Sequence, residues 1–306
     1  MKIVTILQNG REVAAIAGAG GTLPLRELNL RLSTNWSEDT LELITSGQLT
    51  KLNDWYRSGG RRKCEEMSAD LGLSANTVRF CPLYRRPRKI WGIGLNYLAH
   101  AADLAEKVPN EEPASFMKPD TAIIGMGDEI CIPHQSEKTT GEAELGVIMG
   151  RECKNVSEGD WLTAVAGFTT ILDMTTEDIL RKNPRYLTRA KSFDTFFSFG
   201  PQLITPDEIE NVMKLTVATV INGRIHAQNQ VSNMAFPPPY LVSFHSKVMS
   251  WLPGDILSTG TPQAVPLADG DVLECRIDGF ASLRNPVRDL KTKAPAALQN
   301  SAPSLL

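Results

Sequence analysis

Two glutamates stand two positions apart, Glu142 and Glu144, in the stretch GEAELGVIMG from Gly141 to Gly150. Ala143, Leu145 and Val147 alternate with the other residues and glycine closes both ends, which is the pattern of a strand. A strand sends residues i and i+2 to one face, so the two carboxylates point one way and the apolar residues the other. Like charges side by side repel unless something neutralises them. A divalent cation would do it, and so would a wet face that screens the repulsion. Val165 to Asp173, VAGFTTILD, is another largely apolar strand, and it ends on a third carboxylate. An unpaired acid there is costly, so Asp173 is either solvated at a strand mouth or bound to something. If the chain turns helical after Asn96, His100 and Asp103 share a face. A carboxylate beside an imidazole orients the ring and raises its basicity, as a general base requires, although a surface His beside a helical Asp fits the same spacing.

Several elements must position these groups. Lys2–Leu7 and Val13–Ala17 flank Asn9-Gly10, a hairpin turn signal. A helix capped by Ser37 or Asp39 follows, with Leu41, Leu43 and Ile44 as its stripe, and a second helical stretch runs near Leu52 to Leu71. Residues 1–85 read as a small α+β scaffold without chemistry, and Arg85-Arg86-Pro87-Arg88 as its boundary. Residues 86–288 form the main domain. Lys89–Leu95 is a buried strand whose two glycines lack the third of a dinucleotide fingerprint, which excludes a nucleotide site. Lys107 to Pro113 is a polar, proline-rich lid or idle loop. Lys118 stands alone in an apolar setting, and Lys191 is embedded in the aromatic-rich RAKSFDTFF. Asn222-Gly223 marks another hairpin, and a helix runs from about Pro239 to Met249. Residues 289–306, rich in Ala, Pro and Ser, read as a flexible tail or one draped over a neighbour.

Composition narrows the function classes. The chain has 306 residues, 42% hydrophobic and 22% charged, which is ordinary globular usage with room for a large domain and a small one. A net charge of -3 without a basic block invites neither nucleic acid nor an anionic membrane. No apolar run reaches the length of a membrane span, and Met1 leads directly into a strand without a signal-peptide layout. Five scattered cysteines without a C-x-x-C fit a reducing compartment, so the expected location is cytoplasmic.

Eight motifs then occur in series: KIWGIGLNYLAH, FMKP, EAELGVIMG, ILDMTTED, AKSFDTF, INGR, LPGDILSTGTP and LRNPV. In order and spacing they resemble the fumarylacetoacetate hydrolase family, from about Lys89 to Val287. The resemblance implies a mostly-β α+β fold, a mixed β-roll or sandwich with a small amino-terminal domain, paired as a homodimer. It implies that Glu142, Glu144 and Asp173 bind one divalent cation. All-oxygen ligation points to Mg²⁺ or Mn²⁺, with Ca²⁺ also fitting, rather than zinc. It gives Lys191 a contact with substrate, and it gives His100 and its partner the activation of water. That partner is Asp103 here, one methylene shorter than the family's Glu, and Glu106 one turn on is a substitute. Tyr97, Lys118 and Thr261 fall among the expected substrate contacts. Many relatives place an Arg four residues after the metal Asp and a Gln three beyond. This chain has Glu177 and Leu180, so the far end of its substrate differs, with Lys118, Arg181 or Arg185 supplying compensating charge or the substrate being neutral there. Glu177 facing water is the other reading.

The expected activity is metal-dependent hydrolysis of a C–C bond in a 1,3-diketo acid or acylpyruvate. The ion chelates the 2-oxo acid. His100 activates water, and Lys191, with Thr261 or nearby backbone, stabilises developing charge. The same chelate serves decarboxylation of an oxaloacetate-type acid or isomerisation of a 2-hydroxydienoate in aromatic catabolism. An inactive relative that binds a 2-oxo acid is the third reading.

Overall fold

A computed structural model describes residues 1–74, 76–97 and 111–292. His100, Asp103, Glu106 and most of the tail from 289 lie outside the described residues. Strands dominate. They are β1 (Lys2–Gln8), β2 (Arg11–Gly18), β3 (Gly21–Pro24), β4 (Ile90–Gly94), β5 (Ala114–Lys118), β6 (Ile123–Ile124), β7 (Ile130–Ile132) and β8 (Thr139–Met149). The series continues with β9 (Val165–Thr176), β10 (Phe197–Ile204), β11 (Thr216–Ile221), β12 (Arg224–Gln230), β13 (Ile256–Ser258), β14 (Val265–Pro266), β15 (Val272–Ile277) and β16 (Leu283–Asp289).

Two sheets result. The larger has the order β3-β2-β1-β10-β9-β8-β13-β4-β5, with β14 added to β8 and β6 to β10. The smaller has the order β12-β11-β15-β16-β7. Both glycine-containing hairpins form where the sequence signals them. Asn9 and Gly10 have φ of 51° and 75°, and Asn222 and Gly223 have 52° and 79°, which is the positive-φ pair that matches strand twist. Asp39 caps the helix Thr40–Thr45 by accepting from the Glu42 amide at 2.8 Å. The single helical stretch expected near Leu52 to Leu71 is two helices, Gln48–Trp55 and Arg61–Leu71. Gly59, at φ 117°, breaks the run between them.

β1 pairs antiparallel with β10, which carries the larger sheet straight through from the first hairpin into residues past 86. Tyr84 closes the junction. Its ring meets Phe199 edge-on at 5.1 Å, and its hydroxyl donates to the Gly254 carbonyl at 3.0 Å. The smaller sheet packs on the Ala143–Leu145 face of β8. There a Cβ on Gly141 would come within 2.4 Å of a Leu273 methyl, so a larger residue forces that side chain to shift. Among the described residues no helix is long and apolar enough to cross a membrane.

Candidate metal centre

β8 is buried along its whole length, because β9 and β13 flank it and the smaller sheet covers one face. Glu142 lies directly opposite Asp173, and Glu144 opposite Ile171. Directly opposed residues of an antiparallel pair share a face. The register therefore brings Glu142, Glu144 and Asp173 together, with ligand oxygens all within 4.8 Å of one another. Neither open alternative from the sequence survives. Glu142 is 8% exposed and Glu144 0%, so their face is not wet. Strand β9 continues three residues past Asp173 to Thr176, so Asp173 lies inside the sheet at 0% exposure and not at a solvated mouth.

The carboxylates are partly compensated by the chain itself. Lys191 Nζ donates to Glu142 Oε2 at 3.0 Å and to Asp173 Oδ2 at 2.7 Å. Lys118 Nζ donates to Asp173 Oδ1 at 2.5 Å and to the Met174 carbonyl at 3.3 Å. Thr175, two residues beyond Asp173 on the same face, donates to Glu142 Oε1 at 2.9 Å. Glu144 Oε2 accepts from the Ser258 hydroxyl at 2.6 Å and the Gly260 amide at 2.7 Å. The Lys191 ammonium sits 4.6 Å from the centre of the Phe116 ring, and Lys118 lies 5.9 Å from that of Phe196.

These contacts set the charges. Burial pushes the Glu144 carboxyl up to about 8, and the negative charges of Asp173 and Glu142 add to the push. Burial also pulls Lys118 down to about 8, against the pull of Asp173. Burial opposes the charge on Lys191 too, but Asp173, Glu142 and Glu144 together outweigh it and raise its pKa. Among the described residues, Glu144 Oε1 is buried without a hydrogen-bond partner. A buried carboxylate oxygen left in this state, beside two more carboxylates, is short of positive charge. The site fits a divalent cation on that ground, and the all-carboxylate donor set fits a hard one.

The other expected residues are placed as follows. Tyr97 is 0% exposed at the end of the β4 segment. Among the described residues its hydroxyl lacks a partner, and burial raises its pKa, with the Glu144 charge adding to the effect. Thr261 is buried in the loop after β13, and its hydroxyl donates to the Gln263 carbonyl at 3.1 Å. Glu177 opens the helix Glu177–Lys182 and is 8% exposed, so it does not face water. Leu180 is half-buried on that helix. Arg185 is exposed, away from the bonds described above.

Four contributors escape sequence reasoning. Thr175 was discoverable from its i+2 spacing to Asp173. Ser258 and Gly260 lie in the quoted STGTP motif, but their bonds to Glu144 depend on the long-range antiparallel pairing of β13 with β8, which no local pattern reveals. Asn96 holds that loop in place. Its amide donates to the Thr259 carbonyl at 2.7 Å and the Phe236 carbonyl at 3.0 Å, and accepts from the Phe236 amide at 2.9 Å.

Known proteins share this frame. A family model described as fumarylacetoacetate (FAA) hydrolase C-terminal matches residues 89–288. The mitochondrial oxaloacetate tautomerase fahd2 of Xenopus laevis is 34% identical over 224 residues, spanning 70% of this chain and 70% of that protein. The structure of 5-carboxymethyl-2-hydroxymuconate delta-isomerase from Mycobacterium smegmatis matches at a TM-score of 0.72 and 26% identity, covering 96% of this chain and 100% of that one. Maleylpyruvate hydrolase from Sphingobium sp. SYK-6, solved with manganese (II) and pyruvate, shares the fold at a TM-score of 0.75 and 22% identity, covering 94% and 99%.

Proposed function

This chain belongs to the fumarylacetoacetate hydrolase family, and on that premise we propose that it is a divalent-metal-dependent enzyme that enolises a small 2-oxo acid, by keto–enol tautomerisation. One observation carries the reading: two buried ammoniums, Lys118 and Lys191, converge on a buried cluster of three carboxylates. With all five groups ionised the cluster holds one net negative charge. With a divalent cation it holds one net positive charge, which the carboxylate of a 2-oxo acid neutralises. Glu142, Glu144 and Asp173 would hold the ion, which supplies Lewis acidity toward the substrate's oxygens when bound.

The chain's own residues do the rest. Lys191, held charged by three carboxylates, faces the oxygen on which negative charge builds when the carbon beside the ketone loses a proton. The unpartnered Tyr97 hydroxyl is a further donor toward that charge. The proton leaves carbon and returns to oxygen, so the step is isomeric and consumes nothing. The tautomerase relative supports this reading.

Hydrolytic cleavage of a C–C bond in an acylpyruvate is the second reading. The His100–Asp103 spacing favours it, because hydrolysis needs an activated water and tautomerisation does not. Purified protein with Mg²⁺ or Mn²⁺ decides between them. Ultraviolet loss of the oxaloacetate enol reports tautomerisation, and acylpyruvate cleavage reports hydrolysis. Activity toward neither substrate class sinks both readings. Glu144→Gln is expected to weaken Mn²⁺ binding about 100-fold by calorimetry, and unchanged affinity removes Glu144 from the ligand set.

A further inference from the structure

Gly92 lies in β4, in the glycine pair that lacks the rest of a dinucleotide fingerprint, and its backbone is outside the left-handed region. Conformation therefore does not call for glycine there. Space does. Phe116 of β5 lies directly opposite, and a Cβ on residue 92 would stand 2.2 Å from the Cζ of its ring. The ring fills the place of the missing side chain. Phe116 and Lys118 are buried while Ser115 and Met117 between and beside them are exposed, so both buried side chains turn to the inner face of β5.

The helix Leu187–Lys191 packs on β5 and brings its last residue to that ring. Lys191 Nζ stands 4.6 Å from the ring centre. Among the described residues the other cation–ring distances are 5.8, 5.9 and 6.0 Å, near the limit of useful attraction at about 6 Å. An ammonium has three N–H groups to place. Lys191 gives one to Glu142 and one to Asp173. The residue is 4% exposed, so water has little access to the third. Among the described residues no further oxygen accepts it, and a buried N–H without an acceptor is costly. The electron-rich face of Phe116 is within reach of it.

The three partners of Lys191 differ in one respect. Glu142 and Asp173 belong to the carboxylate triad, so a divalent cation competes with Lys191 for their oxygens. A hard cation takes oxygen ligands and does not compete for a phenyl ring. We infer that Phe116 is a positioning residue for Lys191: its ring, seated over Gly92, takes the third N–H of the ammonium and keeps it in place when the carboxylates turn to a metal. The bearing on catalysis rests on Lys191 stabilising negative charge on a 2-oxo acid, as proposed above. The contact itself does not.

Phenylalanine carrying one, two or three ring fluorines at position 116 tests it, because fluorine drains the π-face and nearly preserves shape and apolar character. In metal-free protein, NMR of the lysine ammonium groups is expected to show the Lys191 protons shifted upfield by the ring. Their exchange with water quickens step by step with fluorine number, about tenfold over the series. Phe116→Leu removes the upfield shift and Phe116→Tyr restores it, with thermal melts to verify folding. In Mn²⁺-loaded protein the calorimetric affinity for pyruvate falls in the same order and by a similar factor. A ring that only fills space would leave the fluorinated proteins alike. Lys191 protons without an upfield shift, exchange that is flat across the series, or a measurable pyruvate affinity that is flat across it overturns the inference. If wild type binds no pyruvate, the reading of the triad as a 2-oxo acid seat falls, and the exchange rates in metal-free protein decide the positioning role by themselves.

Discussion

At the scale of single residues, the cost of burial decides what each polar group does. Glu144 and His245 make the contrast. Glu144 is buried among charges and has two donors on one oxygen, and its shortage of positive charge points to an ion. His245, on the helix Pro238–Val248, is 2% exposed with both ring nitrogens unpartnered, packed against Trp91 at 5.4 Å and Phe244 at 5.1 Å. Among the described residues burial alone pulls its pKa down, to about 4. The unfolded chain takes up this proton near pH 6.5, while the folded chain waits until about 4. Stability is therefore full above pH 6.5 and falls as pH drops toward 4, by on the order of 2 kcal/mol from this residue. His245→Phe keeps the aromatic packing and removes that share. Urea unfolding of the two proteins between pH 7 and 4.5 checks it, and parallel pH profiles would refute the assignment.

At the scale of elements, the sheet register turns local sequence into a site. Gly260 shows how tightly the loop after β13 is drawn. Its φ of 96° is one that only glycine adopts freely, and a Cβ there would stand 2.8 Å from that of Asn96. Gly260→Ala is expected to cost about 2 kcal/mol and to pull an amide away from Glu144. Denaturant melts read the first effect and Mn²⁺ calorimetry the second. Much of the site was legible beforehand. The i, i+2 spacing exposed Glu142 and Glu144, and the two Asn-Gly turns announced their hairpins. Burial was not legible, because whether a face is wet depends on what packs over it. Asp173 illustrates this: β9 runs on through Met174-Thr175-Thr176, where an acid followed by two threonines reads as the end of an apolar strand. The state of Glu177 was hidden for the same reason. Lys138 precedes it by 39 positions and meets it only through the ladder.

At the scale of the whole molecule, the first hairpin is sewn into the main sheet by β1 and β10, two strands about two thirds of the chain apart. Ile3, Ile16, Leu83 and Tyr84 belong to the same apolar core as Phe168 and Phe199. Long-range pairing of this kind carries no local signal, which is why residues 1–85 read as a separate unit in sequence. A shared core and a shared sheet predict one cooperative thermal transition for the intact chain. Two resolved heat-absorption peaks in calorimetry would contradict it.

The β8–β9 register also works as a ruler. On one face the side chains recur every 6.8 Å or so, twice the rise of a single residue. The rungs thus space the site, with the carboxylates at Glu142–Asp173 and the Glu177 amide bonded to Lys138 where the ladder ends. A ruler tolerates new markings but not slippage. One residue inserted into either strand would turn every later side chain to the opposite face and break up the triad. A register-built site of this kind tolerates replacement of a side chain far better than insertion of a residue.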